Sequence, residues 1–156
     1  MRLLLQLDLP AEARFLPRTR RTIADYLEEI GADADQSADV VLALEEACAN
    51  VVRHAFPQGT TGTIHLRAEL RPECVEVQVE DHGVGFDPFS APLQEAELED
   101  LSGRGLRIIR EVMSSLHVES PTRTGGTRLR MAKQLHPRGA ATEGPQAEPA
   151  QSEQRR

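Results

Sequence analysis

The sequence has few of the residues on which several classes of protein depend. It contains no tryptophan and only 3% aromatic residues, so it offers few side chains on which nucleic acid bases can stack. No stretch stays apolar for the roughly 18 residues that a transmembrane helix needs. The two cysteines, Cys48 and Cys74, lack the spacing of a metal site and predict a buried, reduced pair. These absences favour a cytoplasmic globular protein that does not bind a membrane.

Positive charge is also in short supply. Aspartate and glutamate number 25 against 18 lysines and arginines, which gives a net charge of −7. Such an acidic balance argues against nucleic acid or an anionic membrane as the main partner. The segment His136–Arg156 contains no Val, Ile, Leu, Met or Phe, and it cannot bury enough apolar surface to offset its ordering entropy. We therefore expect one folded domain over residues 1–135 and a disordered tail over residues 136–156.

Hydrophobic patterns within the domain predict five strands and three helices. In the first strand, leucines alternate at positions 3, 5, 7 and 9, which predicts one apolar face. The expected order is strand 3–9, helices 16–30 and 37–55, strands 64–70 and 75–79, a loop over 81–103, helix 104–115, and strands 116–120 and 127–134. This order predicts an α+β fold, a two-layer sandwich whose mostly antiparallel sheet is covered on one face by the helices.

The second predicted helix carries a pair of polar residues that bears on function. Glu46 and Asn50 are four residues apart, so they lie about 40° apart around the helix and face the same way. One interpretation is a solvated polar face. The other is a carboxylate beside a neutral oxygen donor, which suits Mg²⁺ and can also orient or deprotonate an attacking hydroxyl.

Two glycine-containing motifs follow along the chain. Asp81-His82-Gly83-Val84-Gly85 comes directly after a predicted strand, where a carboxylate can accept hydrogen bonds and the glycines permit close approach of a ligand. Gly103-Arg104-Gly105-Leu106 opens the third helix, whose free N–H groups and positive dipole end favour phosphate. Taken singly, the first motif is also typical of a capped turn and the second of a flexible hinge.

In this order, the three motifs resemble those of the Bergerat-fold ATPases, the superfamily of gyrase, Hsp90, histidine kinases and MutL. The sequence is most similar to the small anti-sigma factor serine kinases of that superfamily. The phrases LEEACANVVRHAF, VEDHGVGFDP and GRGLRIIREVMSSL carry the resemblance, which extends over nearly all of residues 1–135. Gly125-Gly126-Thr127 also matches the closing motif of that family.

The resemblance implies a role for each matching residue. Asp81 would accept a hydrogen bond from the adenine amino group, and Thr127 would lie near the adenine. Asn50 would ligate Mg²⁺ between the ATP phosphates, and Glu46 would be the catalytic base that positions a serine hydroxyl. The remaining matching residues would approach the nucleotide or wrap its phosphates as part of a lid; these are Gly83, Gly85, Gly103, Arg104, Gly105 and Leu106.

The resemblance also implies an activity and partners. The protein would sequester a sigma factor and use Mg-ATP to phosphorylate a serine on an anti-sigma antagonist of the STAS type. A homodimer is implied as well, for which the first strand offers an edge. The acidic run Gln94–Asp100 lies near the expected phosphate site, and we expect its carboxylates to point to solvent.

Two other functions remain open at this point. The protein could be a nucleotide-dependent binding module that transfers no phosphate, although such a module would not need Glu46. It could also be the catalytic part of a histidine kinase. That function requires an upstream helical hairpin with a phospho-acceptor histidine, for which we expect the segment before the second helix to be too short.

Overall fold

The computed structural model describes residues 2–57, 60–85 and 103–135. Five strands form one sheet in the order β1-β2-β3-β5-β4, and every neighbouring pair is antiparallel. The strands are β1 (Arg2–Pro10), β2 (Thr63–Leu70), β3 (Cys74–Glu80), β4 (Ser115–Glu119) and β5 (Arg128–Gln134). The helices are α1 (Leu16–Glu29), α2 (Ala34–Asn50) and α3 (Gly103–Val112). A 3₁₀ turn, Ala13–Phe15, precedes α1, and a π-helical turn, Val51–Ala55, continues α2. The predicted α+β fold is confirmed.

One hydrophobic core joins the sheet to the helices. Alternate residues of β3 are fully buried at Val75, Val77 and Val79, as the period of a strand requires. The helices bring residues such as Ile23 and Leu44 to the same cluster. The opposite face of the sheet carries charged side chains that pair with one another, for example Arg128 with Glu80 and Glu119. The sheet therefore buries one face under the helices and leaves the other polar.

The first strand differs from the expected alternation of leucines. Its register with β2 shifts between Leu3 and Leu5, so Leu4 is the extra residue of a β-bulge. As a result Leu4 is buried, whereas Leu3 is 49% exposed. The prediction that Leu3 shares the apolar face with Leu5, Leu7 and Leu9 is therefore wrong at its first position.

Helix boundaries also differ by a few residues. Helix α2 begins at Ala34 rather than Ser37, because Asp33 caps it: the Asp33 carboxylate accepts a hydrogen bond from the Gln36 N–H at 2.7 Å. Its regular part ends at Asn50, and the π-helical turn carries the chain on to Ala55. Helix α3 ends at Val112, three residues before the predicted Ser115.

Three further expectations have mixed outcomes. Cys48 is buried and burial raises its pKa to about 12, but Cys74 is only half-buried, so the prediction of a fully buried pair is wrong for Cys74. The acidic run 94–100, most of the 81–103 loop and the tail 136–156 lie outside the described residues. Across the described ranges, no helix has the length and apolarity to span a bilayer.

The bulge in β1 gives a stability test. Replacing the buried Leu4 by alanine should lower the free energy of unfolding by about 2 kcal/mol or more, because the side chain leaves a cavity in the core. The same change at the neighbouring, exposed Leu3 should cost less than about 1 kcal/mol. Urea unfolding of the two variants measures the difference. A larger loss for Leu3→Ala than for Leu4→Ala would show that the regular alternation holds and that Leu4 is not the buried residue.

Candidate active site

A cavity of about 300 Å³ opens between α2, its π-helical turn and the strands β3 and β5. Its walls are mostly aliphatic, and its polar groups are few. The lining residues are Ala47, Asn50, Val51, His54, Ala55, Val79, Asp81, Gly85, Leu106, Thr127 and Leu129. A pocket that is apolar with a small number of placed polar groups is typical of a small-molecule site.

Asp81 supplies a buried carboxylate to this cavity. It follows the last residue of β3 and is 2% exposed. One carboxylate oxygen accepts a hydrogen bond from the Gly83 N–H at 2.8 Å, and the Asp81 N–H donates to the carbonyl of Thr127 at 2.9 Å. Burial raises the pKa of Asp81 above its ordinary value of 3.8, while the backbone N–H groups of Gly83 and Thr127 act in the opposite direction. The cavity therefore holds a hydrogen-bond acceptor in a setting of low polarity.

The turn after Asp81 is fixed against the end of α2. The N–H of Val84 donates to the carbonyl of Ala55 at 2.9 Å. A Cβ atom on Gly83 would lie 1.9 Å from that same carbonyl oxygen, so no side chain fits at this position. On the other side, Gly126 has a φ of +73°, and a Cβ there would lie 2.1 Å from the carbonyl oxygen of Asp81. Both glycines are needed for the backbone to pack this closely around Asp81.

The first turn of α3 contacts the polar pair on α2. A Cβ atom on Gly105 would lie 3.1 Å from the Glu46 carboxylate and 3.1 Å from the Asn50 amide nitrogen. Glu46 and Asn50 are both half-buried at this contact. Oxygen donors of this kind are the ligands that Mg²⁺ prefers, and glycine at position 105 lets the backbone of α3 approach them closely. The first described turn of α3, residues 103–106, lies next to that donor set.

The structure brings the three predicted motifs together. Of the predicted residues, those that line the cavity are Asn50, Asp81, Gly85, Leu106 and Thr127. Gly83 and Gly105 pack against the backbone and side chains around it, and Glu46 lies beside Asn50 at the edge of the cavity. Gly103 is the first residue of α3, and the Arg104 side chain is exposed and does not line the cavity. The chemical roles expected of these residues stay predictions.

Sequence reasoning did not assign the walls of the cavity. Val51, Val79 and Leu129 follow the same periodicities as ordinary core residues, and nothing in the pattern separates a pocket wall from the core. His54 lines the cavity, although its place at the end of the second predicted helix favours a surface or capping residue over a ligand contact. Partial burial lowers its pKa, and the neighbouring Arg53 lowers it further. The lowered pKa favours the uncharged form of the His54 ring at neutral pH.

Comparison with known proteins assigns the class. Residues 9–133 match the family described as histidine kinase-like ATPase domain. The chain therefore belongs to this family, whose ATP-binding domain implies the use of ATP.

Within the family, the chain is similar to curated serine-protein kinases. It is 30% identical over 139 residues to serine-protein kinase RsbW of Halalkalibacterium halodurans. The aligned part covers 84% of this chain and 83% of that protein. It is 25% identical over 141 residues to serine-protein kinase RsbW of Bacillus subtilis strain 168, over 85% of this chain and 86% of the other. Protein-serine kinase activity is the activity that these relationships support.

Solved structures share the fold. The RsbU and RsbW domains of a Mycobacterium tuberculosis protein match with a TM-score of 0.62 at 24% identity, over 84% of this chain and 32% of that one. The SiaB–SiaC complex of Pseudomonas aeruginosa matches with a TM-score of 0.58 at 19% identity, over 84% of this chain and 89% of the other. Both structures support the arrangement of sheet and helices described above.

Asp81 allows a test in which binding and stability move apart. Replacing Asp81 by asparagine should weaken ADP binding by about 10- to 100-fold, because a charged acceptor is lost from an apolar cavity. Calorimetric titration measures this change, with the exposed Asp8→Asn as the control that should bind ADP normally. Unchanged ADP binding by Asp81→Asn would contradict a role for Asp81 in nucleotide recognition.

The same variant should not be less stable than the wild type at pH 7. Because burial raises the folded-state pKa of Asp81, ionisation of this group opposes folding. The protonated carboxyl contributes stability that is fully present below the ordinary pKa of 3.8 and is lost as pH rises through the folded-state pKa. Asparagine does not ionise, so the variant has no buried charge to accommodate at pH 7. Its free energy of unfolding at pH 7 should therefore equal or exceed that of the wild type. If urea unfolding shows a large decrease in the free energy of unfolding, Asp81 is primarily structural.

Proposed function

We propose that this chain is an anti-sigma serine kinase. It binds ATP with Mg²⁺, sequesters a sigma factor, and phosphorylates a serine on an antagonist of the STAS type. The observation that supports this most is the contact between the first turn of α3 and the Glu46–Asn50 pair, at the edge of a cavity that contains one buried carboxylate. In this arrangement a site for a nucleobase, a site for phosphates and a catalytic carboxylate adjoin one another.

The buried end of the cavity suits adenine. The aliphatic walls can cover the faces of the base, and the Asp81 carboxylate can accept a hydrogen bond from its exocyclic amino group. Guanine carries a carbonyl oxygen at the corresponding position, and two acceptors would then face each other. The unpaired carboxylate would cost free energy in a site of low polarity, so the site should favour adenine nucleotides.

The open end suits the phosphates. The N–H groups and the positive dipole end of α3 favour negative charge, and the exposed Arg104 would add a charged donor. Asn50 would hold Mg²⁺ with its amide oxygen, and the bound metal would supply charge neutralisation at the phosphates. Glu46 would orient the serine hydroxyl and accept its proton during attack on the γ-phosphorus.

The partners and the compartment are also part of the proposal. Sigma factors and their antagonists act in the cytoplasm, where ATP is available. Strand β1 lies at one end of the described sheet, so it can pair with the same strand of a second copy. Such a homodimer would extend the sheet across both subunits.

Glu46 separates the kinase from a nucleotide-dependent binding module. Glu46→Gln should bind ATP as the wild type does, but its rate of phosphate transfer to the antagonist serine should fall by about 10²- to 10⁴-fold, because the acceptor of the hydroxyl proton is lost. The matched control is Glu45→Gln, which removes a neighbouring carboxylate that pairs with Arg20 on α1 at 3.4 Å. This control should retain activity.

The measurement is transfer of labelled phosphate from Mg-ATP to a candidate antagonist. If the wild type binds ATP but labels no antagonist encoded near its gene, the chain is a binding module rather than a kinase. If Glu46→Gln transfers phosphate as fast as the wild type, Glu46 is not the catalytic base.

A further inference from the structure

Helix α3 is held at its C-terminal end by a lysine from the sheet. The Lys133 ammonium group donates to the carbonyl of Val112, the last residue of α3, at 2.7 Å. It also pairs with the carboxylate of Asp39 on α2 at 2.6 Å. Lys133 alternates with Leu129 and Met131 on β5, so it lies on the face of the sheet that the helices cover. One cation thus joins the sheet and both helices.

Both ends of α3 are connected to α2, and the spacing of the connected residues is the same along the two helices. Gly105, near the start of α3, contacts Glu46, and Val112 is connected through Lys133 to Asp39. Seven residues separate the two contact points on each helix, which is a rise of about 10 Å in both cases. The helices therefore run antiparallel, and these two contacts connect α3 to α2 near both of its ends.

This connection is distinctive in its position. Lys133 and Asp39 are partly buried, with side chains 19% and 32% exposed, so their attraction is less screened than that of a surface pair. Among the described residues, the ion pair formed by side chains of α3 joins Arg107 to Glu111 within the helix itself. A cation at the C-terminal carbonyls also suits the dipole of α3.

We propose that Lys133 is a positioning residue for the nucleotide phosphates. By tying the last turn of α3 to Asp39, it holds the first turn where Gly105 packs against Glu46 and Asn50. Loss of this connection lets α3 shift along α2, and the phosphate-binding end then moves away from the oxygen donors. This inference rests on the proposed function, since it assumes that phosphates bind at the start of α3.

Adenosine provides the comparison that separates positioning from stability. Adenosine can use the Asp81 cavity but has no phosphates, whereas ADP and ATP use both ends of the site. In Lys133→Met, which keeps an apolar side chain of similar length, ATP and ADP affinity should fall by about tenfold, while adenosine affinity stays as in the wild type. Lys133→Arg, which keeps the charge, should restore part of the lost ATP affinity.

Two further variants complete the design. Arg71→Met removes a partly buried cation that pairs with Glu76 at 2.9 Å on the polar face of the sheet. It controls for the loss of an ion pair as such, and its ratio of ATP to adenosine affinity should stay as in the wild type. Asp39→Asn removes only the carboxylate partner of Lys133, so it should lower this ratio less than Lys133→Met does. If Lys133→Met does not fold, the ratio of ATP to adenosine affinity in Asp39→Asn tests the proposal in its place.

The outcomes distinguish the inference from the function on which it rests. If the Lys133 and Asp39 variants unfold at lower temperature but keep the wild-type ratio of ATP to adenosine affinity, Lys133 is merely structural and the inference is overturned. If the wild type itself binds ATP no more tightly than adenosine, the proposed phosphate site is wrong, and the inference fails with it.

Discussion

Asp81 lies almost completely buried where β3 ends, and its carboxylate faces a cavity with aliphatic walls. Burying a carboxylate in such a place is unfavourable unless hydrogen bonds compensate for the lost water. Those bonds come from the backbone, and they require the chain to turn tightly at Gly83 and to approach closely at Gly126. The carbonyl of Ala55 accepts a hydrogen bond from the N–H of Val84, which connects the π-helical turn to the turn after Asp81. The rest of the site is arranged around this charge.

Helix α2 links the core to the site, because its faces serve different purposes. Val40, Leu44 and Cys48 pack into the core, and Glu46 and Asn50 lie at the border of that apolar surface. The core contacts hold the helix rigid, so the polar pair has a fixed place relative to β3. A site built on a packed helix is more precise than one built on loops, and phosphate transfer depends on such precision.

The sequence could predict much of this arrangement because long elements carry strong periodic signals. The helices, the strands and the order of the three motifs follow from such signals, and the motifs meet near Asp81 and Gly105 as expected. Local details were less accessible. A β-bulge leaves a run of leucines looking regular, so the burial of Leu4 could not be read from it. The cavity walls share their pattern with the core, and Lys133 gains its meaning only from two partners that are distant in sequence.

The overall acidity of the chain raises a question about its ligand. A protein with a net charge of −7 should repel a nucleotide that is itself an anion. The repulsion is a long-range effect, however, and at physiological salt it is screened beyond about 8 Å. In the proposed function the attraction is short-range, since it would come from N–H groups at the start of α3 and from cations in direct contact with phosphate. Affinity for ATP should therefore depend on the position of α3 far more than on the net charge of the chain.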